Sequence, residues 1–95
     1  MDNIKRIQEY VATSFRISSE QLIGHCRKRE YSYPRMLAMH IVREVTGESF
    51  PKIARRFGGV DHTSVLYGCR WAEKNIQYKE YIRDVIRRFS NALDR

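Results

Sequence analysis

Phe57-Gly58-Gly59-Val60-Asp61-His62-Thr63-Ser64-Val65-Leu66-Tyr67-Gly68-Cys69-Arg70 decides how this chain folds. Two adjacent glycines mark a sharp reversal, because such a turn needs backbone angles that residues with a Cβ resist. Asp61 follows as a helix cap, its side-chain oxygen suited to take up a free amide of the first turn. Behind it, Val65, Leu66, Cys69, Ala72 and Ile76 share one face of a helix predicted from His62 to about Asn75. Thr63, Tyr67, Arg70 and Lys74 share the opposite face. A helix with one apolar and one polar, cationic stripe is covered on one side and open on the other.

Towards the N-terminus, Ser49 is placed to cap a shorter helix with Pro51 in its first turn and with Ile53, Ala54 and Phe57 facing inward. Ala54 is small enough to let two helices approach across the turn. Ser49 to Ile76 therefore has the layout of a helix-turn-helix. The first turn of the second helix in such a motif is what enters the major groove of DNA. There His62 can donate to guanine N7 or O6, and Thr63 can bring its methyl to thymine and its hydroxyl to a polar base edge. Ser64 offers a hydroxyl to a base or a phosphate, and the free amides of a helix start attract phosphate. Asp61 suits both capping and acceptance from a cytosine or adenine amino group. The plainer reading of these residues is an ordinary helix start on a helical hairpin.

Further out, the pattern stays helical. Ile4, Ile7, Val11 and Phe15 form one apolar stripe, and Ser18 with Gln21 forms a capping box ahead of Leu22 and Ile23, with Gly24 ending that short helix. His25-Cys26-Arg27-Lys28-Arg29 reads as a basic connection. Pro34 is expected to open the next helix, where its missing N–H costs nothing. Leu37, Ala38, Ile41, Val42 and Val45 give that helix an inward face, and Gly47 is its left-handed stop. The C-terminal stretch, about 78–93, reads as an amphipathic helix with Ile82, Val85, Ile86, Phe89 and Leu93 in register and Asp84 and Arg88 as a pair four residues apart. No strand alternation appears. The expectation is one all-α domain spanning 1–95, a small multi-helix fold.

Composition narrows the function. Lys and Arg number 18 against 11 Asp and Glu, a net charge of +7, which favours polyanionic partners. Cys26 and Cys69 lack any metal-ligand spacing, so neither a zinc site nor another metal is expected. His25, His40 and His62 lie on different elements, no nucleophile has a base nearby in sequence, and the acidic residues are scattered. Neither catalysis nor a cofactor is therefore expected. No apolar run reaches the length of a membrane span, and the N-terminus lacks a signal-peptide core. A cytoplasmic, nucleoid-associated protein is the resulting expectation.

The quoted stretch closely resembles the signature of the C-terminal DNA-binding domain of the bacterial replication initiator DnaA. The resemblance extends from about Ile4 to Ile76 and includes Leu22, Pro34-Arg35, Ala38-Met39 and Ser49-Phe50-Pro51-Lys52-Ile53. It implies a DnaA domain IV-like, Trp-repressor-like helix-turn-helix that binds double-stranded DNA. By that resemblance, Asp61, His62, Thr63 and Ser64 match residues that meet the major groove. Arg27, in the basic loop, matches an arginine that reaches into the adjacent minor groove, and Arg35, Arg43, Phe50 and Pro51 match residues that hold the phosphate backbone. An arginine on a loop suits a narrow, electronegative minor groove. Lys28, Arg29, Lys52, Tyr67, Arg70 and Lys74 complete the expected backbone contacts.

Three positions depart from the family pattern. Val60 stands where an arginine is usual, Met36 where a glutamine is common, and Trp71 where a lysine is usual; these bear on the choice of target sequence more than on binding itself. Trp71 has two readings, a core residue or an exposed patch for a protein partner together with Tyr78 and Tyr81. No GxxxxGK(S/T) loop is present, so nucleotide hydrolysis and origin melting are not expected of this chain alone. Met1, followed at once by a fold-compatible helix, favours a stand-alone relative over an excised domain. The functional expectation is sequence-specific duplex binding in replication initiation, its regulation, or transcriptional control. The alternatives are a protein-interaction module that kept the fold and lost base reading, and RNA binding, for which no stacking platform is evident.

Overall fold

In the computed structural model residues 2–93 are described, 91–93 by backbone only. Among the described residues six α-helices follow one another: α1 (Asn3–Ser14), α2 (Ser19–Ile23), α3 (Arg29–Thr46), α4 (Phe50–Arg56), α5 (His62–Lys74) and α6 (Lys79–Leu93), with a 3-10 turn at Ile76–Tyr78 before the last. Among the described residues there is no strand, as the all-α reading requires.

Most of these helices start at a side-chain cap. Asp2 accepts from the amides of Ile4 and Lys5, Ser49 from that of Lys52 and Asp61 from that of Thr63. Ser18 and Gln21 close a reciprocal capping box. Gly47 ends α3 in the left-handed conformation, at φ 68°. Each cap satisfies groups that the helix itself leaves unpaired.

α3 is the central element, in contact with α1, α2, α4, α5 and α6. Ile7, Val11, Leu22, Leu37, Ile41, Val42, Ile53, Phe57, Val65 and Val85 are fully enclosed around it. Phe57, the last residue before the glycine turn, is sealed from solvent; burying a side chain of that size contributes roughly 1.5–3 kcal/mol. Gly68 brings α5 close to α3, since a Cβ there would meet Met36 Cγ at 3.1 Å. Asp2 and Arg56 form an ion pair, and Gln8 donates from Nε2 to the Arg56 carbonyl at 2.7 Å, so α1 holds the end of α4.

Four local expectations are corrected. Pro34 does not open α3; the helix begins five residues earlier, at Arg29, with no side-chain cap. A residue before proline ordinarily avoids helical angles, but here tertiary contacts hold the extra turn. Tyr33 lies against Trp71 with ring centroids 4.6 Å apart, and Gln21 donates to the Tyr31 hydroxyl at 3.2 Å. The basic connection is correspondingly shorter, with Arg29 inside the helix. Ile76 is not on the inward face of α5, because that helix stops at Lys74 and Ile76 is 82% exposed. Asp84 and Arg88 are not among the ion pairs of the described residues; Arg88 lies over the Tyr10 ring instead, 4.9 Å from its centroid. On α6, Ile82, Val85 and Phe89 are buried and Ile86 is half-buried, whereas the side chain of Leu93 lies outside the described residues.

Candidate nucleic-acid interface

The turn between α4 and α5 is built on two left-handed glycines, Gly58 at φ 81° and Gly59 at φ 75°. They differ in their surroundings. A Cβ at Gly59 would meet nothing, whereas one at Gly58 would lie 2.6 Å from the Ile23 carbonyl oxygen and 3.3 Å from His25 Nε2. Gly58 is thus where the helix-turn-helix turn touches the end of α2 and the start of the basic loop.

Past the turn, Asp61, His62, Thr63 and Ser64 are all exposed at the first turn of α5. Asp61 Oδ1 accepts from the Thr63 amide and from the Thr63 hydroxyl, and lies 3.5 Å from His62 Nδ1. The two Thr63 hydrogen bonds hold the Asp61 carboxyl below the usual carboxylate range, with His62 adding a smaller pull in the same direction. Tyr67, Arg70 and Lys74 continue the exposed stripe, Tyr67 at 66% exposure. Val65, Cys69 and Ala72 face the core. Burial pushes the Cys69 thiol up to about 11, so it stays protonated and unreactive.

A concave groove of about 750 Å³ lies between α5 and the α2–α3 loop. It brings Arg27 to the same surface as Asp61, Thr63, Ser64 and Tyr67. Val60 and Met36 line it as well, two of the positions where the sequence departs from the family pattern. Arg27, Lys28 and Arg29 are exposed.

The place of Arg35 requires correction. A phosphate contact belongs at the surface, yet Arg35 is only 7% exposed. Its Nε donates to the Leu22 carbonyl at 2.6 Å, Nη1 to that of Cys26 at 2.8 Å and Nη2 to that of Gln21 at 2.8 Å. Burial lowers its pKa from the ordinary value, and three carbonyl acceptors compensate the buried charge. Its guanidinium clamps the carbonyls at the end of α2 and in the basic loop.

The other expected backbone contacts fall into two groups. Arg43 donates to the Glu48 carbonyl and stands over the half-buried Phe50 ring, 4.6 Å from its centroid. Pro51 and Lys52 are exposed, and Lys52 is paired with Glu48 at 3.1 Å. Trp71 is half-buried, packed against the core with its ring beside those of Tyr33 and Tyr78; Tyr78 and Tyr81 in turn meet Phe15 edge-on.

Sequence reasoning missed His25 and Ser32. His25 Nε2 lies 3.0 Å from the Gly58 carbonyl oxygen, and Ser32 lines the groove. Ser32 becomes legible only once α3 is known to begin at Arg29. His25 gives no local signal, because its partner is 33 residues away. Among the described residues no cluster of His, Cys, Asp or Glu is arranged to hold a metal, and no helix is long and apolar enough to cross a membrane.

The profile of the family described as bacterial dnaA protein helix-turn-helix matches residues 4–71. The chain is similar to the chromosomal replication initiator protein DnaA of Acinetobacter baumannii strain ATCC 17978, 45% identical over 78 residues, which is 82% of this chain and 16% of that protein. It is 40% identical over 89 residues to the same protein of Acinetobacter baylyi, covering 85% of this chain and 19% of that one. To that of Lactococcus lactis subsp. cremoris it is 48% identical over 64 residues, covering 67% and 14%. The chain therefore spans less than a fifth of the length of these relatives.

Proposed function

Because this chain belongs to the bacterial dnaA helix-turn-helix family, we propose that it binds double-stranded DNA sequence-specifically, with the start of α5 in the major groove and the basic loop in the adjacent minor groove. The supporting observation is the shared groove. Arg27 and the exposed turn carrying Asp61, Thr63 and Ser64 border one concavity, although α3 and α4 lie between them in the chain. In a groove of this kind, a helix start reads base edges while a neighbouring arginine follows the minor groove.

Lys28, Arg29, Arg43, Lys52, Arg70 and Lys74 supply the charge for the phosphate backbone, with Phe50, Pro51 and Tyr67 at its margin. Backbone contacts fix register, and base contacts choose the site. The relatives' printed name is chromosomal replication initiator protein DnaA, and on that ground the setting proposed is initiation of replication or its control. Regulation of transcription is a second use of the same binding. The alternative, a protein-interaction module, has less support, because Trp71 is half-buried and stacks its ring with Tyr33 and Tyr78.

Anisotropy titrations of a labelled DnaA-box duplex and a scrambled duplex, at two salt concentrations, test the reading. Tighter binding to the box, persisting at the higher salt, is the expected result. Equal affinity for both with no sequence enriched from a random pool, or no binding to any duplex at low salt, overturns it.

A further inference from the structure

We propose that His25 is a positioning residue for DNA recognition: it fastens the basic loop to the helix-turn-helix turn and so sets the spacing between Arg27 and the Asp61–Ser64 end of α5. The inference rests on the duplex-binding reading above. A carbonyl oxygen only accepts, so His25 Nε2 carries the hydrogen and donates to Gly58 across 3.0 Å.

The contact is built into the backbone on both sides. Gly58 has no room for a Cβ, because the Ile23 carbonyl and the His25 ring occupy that space. Its left-handed φ of 81° turns the carbonyl-bearing segment in a way other residues resist. On the inner side of the loop, Arg35 holds the carbonyls of Gln21, Leu22 and Cys26. The segment carrying Arg27 is thus tied to the core just before that residue and to the recognition motif through His25. Arg27 itself stays exposed. Loop and helix then meet a duplex as one body, with the ordering cost already met before binding.

The test is a double-mutant cycle on the full chain, using a duplex selected by the unmodified protein from a random-sequence pool. His25→Ala is expected to weaken binding about five-fold, the scale of one lost preorganising contact. In an Arg27→Ala background the same change is expected to have little effect, because there is no longer an arginine to position. His25→Gln, whose amide Nε2 can reach the Gly58 carbonyl, is expected to restore most of the affinity. A purely structural role would give equal losses in both backgrounds, and that result overturns the proposal, as does failure of glutamine to rescue. A wild-type chain that selects no duplex removes the function itself, an outcome distinct from either.

Discussion

Asp61 and Thr63 are joined twice: one carboxylate oxygen accepts from the Thr63 amide and from the Thr63 hydroxyl, each at 2.9 Å. The hydroxyl hydrogen is therefore committed to Asp61. Thr63 Oγ1 faces an incoming ligand as an acceptor, which suits the amino groups of adenine or cytosine. Thr63→Ala is expected to cost roughly 1–3 kcal/mol on the preferred duplex and much less on a scrambled one. Arg70→Ala is expected to weaken both duplexes alike, as a phosphate contact does. Paired titrations of the two variants check this; identical behaviour on both duplexes would remove base reading by α5.

Acid should loosen the fold at two helix starts. The Asp61 carboxyl is lowered by its bonds to Thr63, and that of Asp2 by its bond to Arg56 with help from the amides of Lys5 and Ile4. A carboxyl lowered in the folded state contributes stability above its unfolded pKa, about 3.9, and that contribution is lost as pH falls through the folded value. The melting temperature is expected to be level from neutral pH to about 5 and to fall below about 4. Asp61→Asn keeps an oxygen for the Thr63 amide without titrating, so its melting curve should depend less steeply on acid. Thermal melts across pH measure both.

Arg35 should behave as a structural residue. Arg35→Ala leaves the carbonyls of Gln21, Leu22 and Cys26 without their donor, at a cost of about 2–4 kcal/mol. Arg35→Lys is expected to recover little, because an ammonium cannot reproduce a planar fork that meets three carbonyls. Urea unfolding gives the stability of each variant. Arg35→Ala with native stability and weakened binding would return this residue to the phosphate contacts.

The two turn glycines should tolerate substitution unequally. Gly59→Ala meets open space and carries only the left-handed penalty, about 1 kcal/mol. Gly58→Ala carries that penalty and also sets a Cβ 2.6 Å from the Ile23 carbonyl oxygen, so α2 and the basic loop must shift. Gly58→Ala is expected to be the more destabilising and to reduce DNA binding further. Equal losses in unfolding experiments would mean that the turn and α2 are not in register as described.

What the sequence made legible is what is encoded locally. The Ser18–Gln21 capping box, the left-handed Gly47 and the Ser49 and Asp61 caps each depend on residues within a few positions, and each is found. The start of α3 is different. Pro34 carries a local signal for a helix start, and the contacts of Tyr33 with Trp71 and of Tyr31 with Gln21 override it. The burial of Arg35 escapes local reading for the same reason: whether a guanidinium reaches solvent depends on carbonyls 9 to 14 residues away. In the candidate site, the exposed face of α5 follows from periodicity, whereas the approach of Arg27 to it depends on tertiary structure.

With Arg35 enclosed, the expected phosphate contacts fall to Lys28, Arg29, Arg43, Lys52, Arg70 and Lys74. About five of these engaged at once would give a slope of log K against log salt near −4 to −5. The six should not contribute alike. Lys52 is already paired with Glu48 at 3.1 Å, and Arg43 is held by the Glu48 carbonyl and the Phe50 ring. Arg70 is exposed and is in none of the ion pairs found among the described residues. Arg70→Ala is therefore expected to flatten the slope by about 1, and Lys52→Ala to weaken binding less, since its pair with Glu48 must be given up before a phosphate is met. Titrations at four or more salt concentrations separate the two; an unchanged slope in Arg70→Ala would place the duplex away from the exposed stripe of α5.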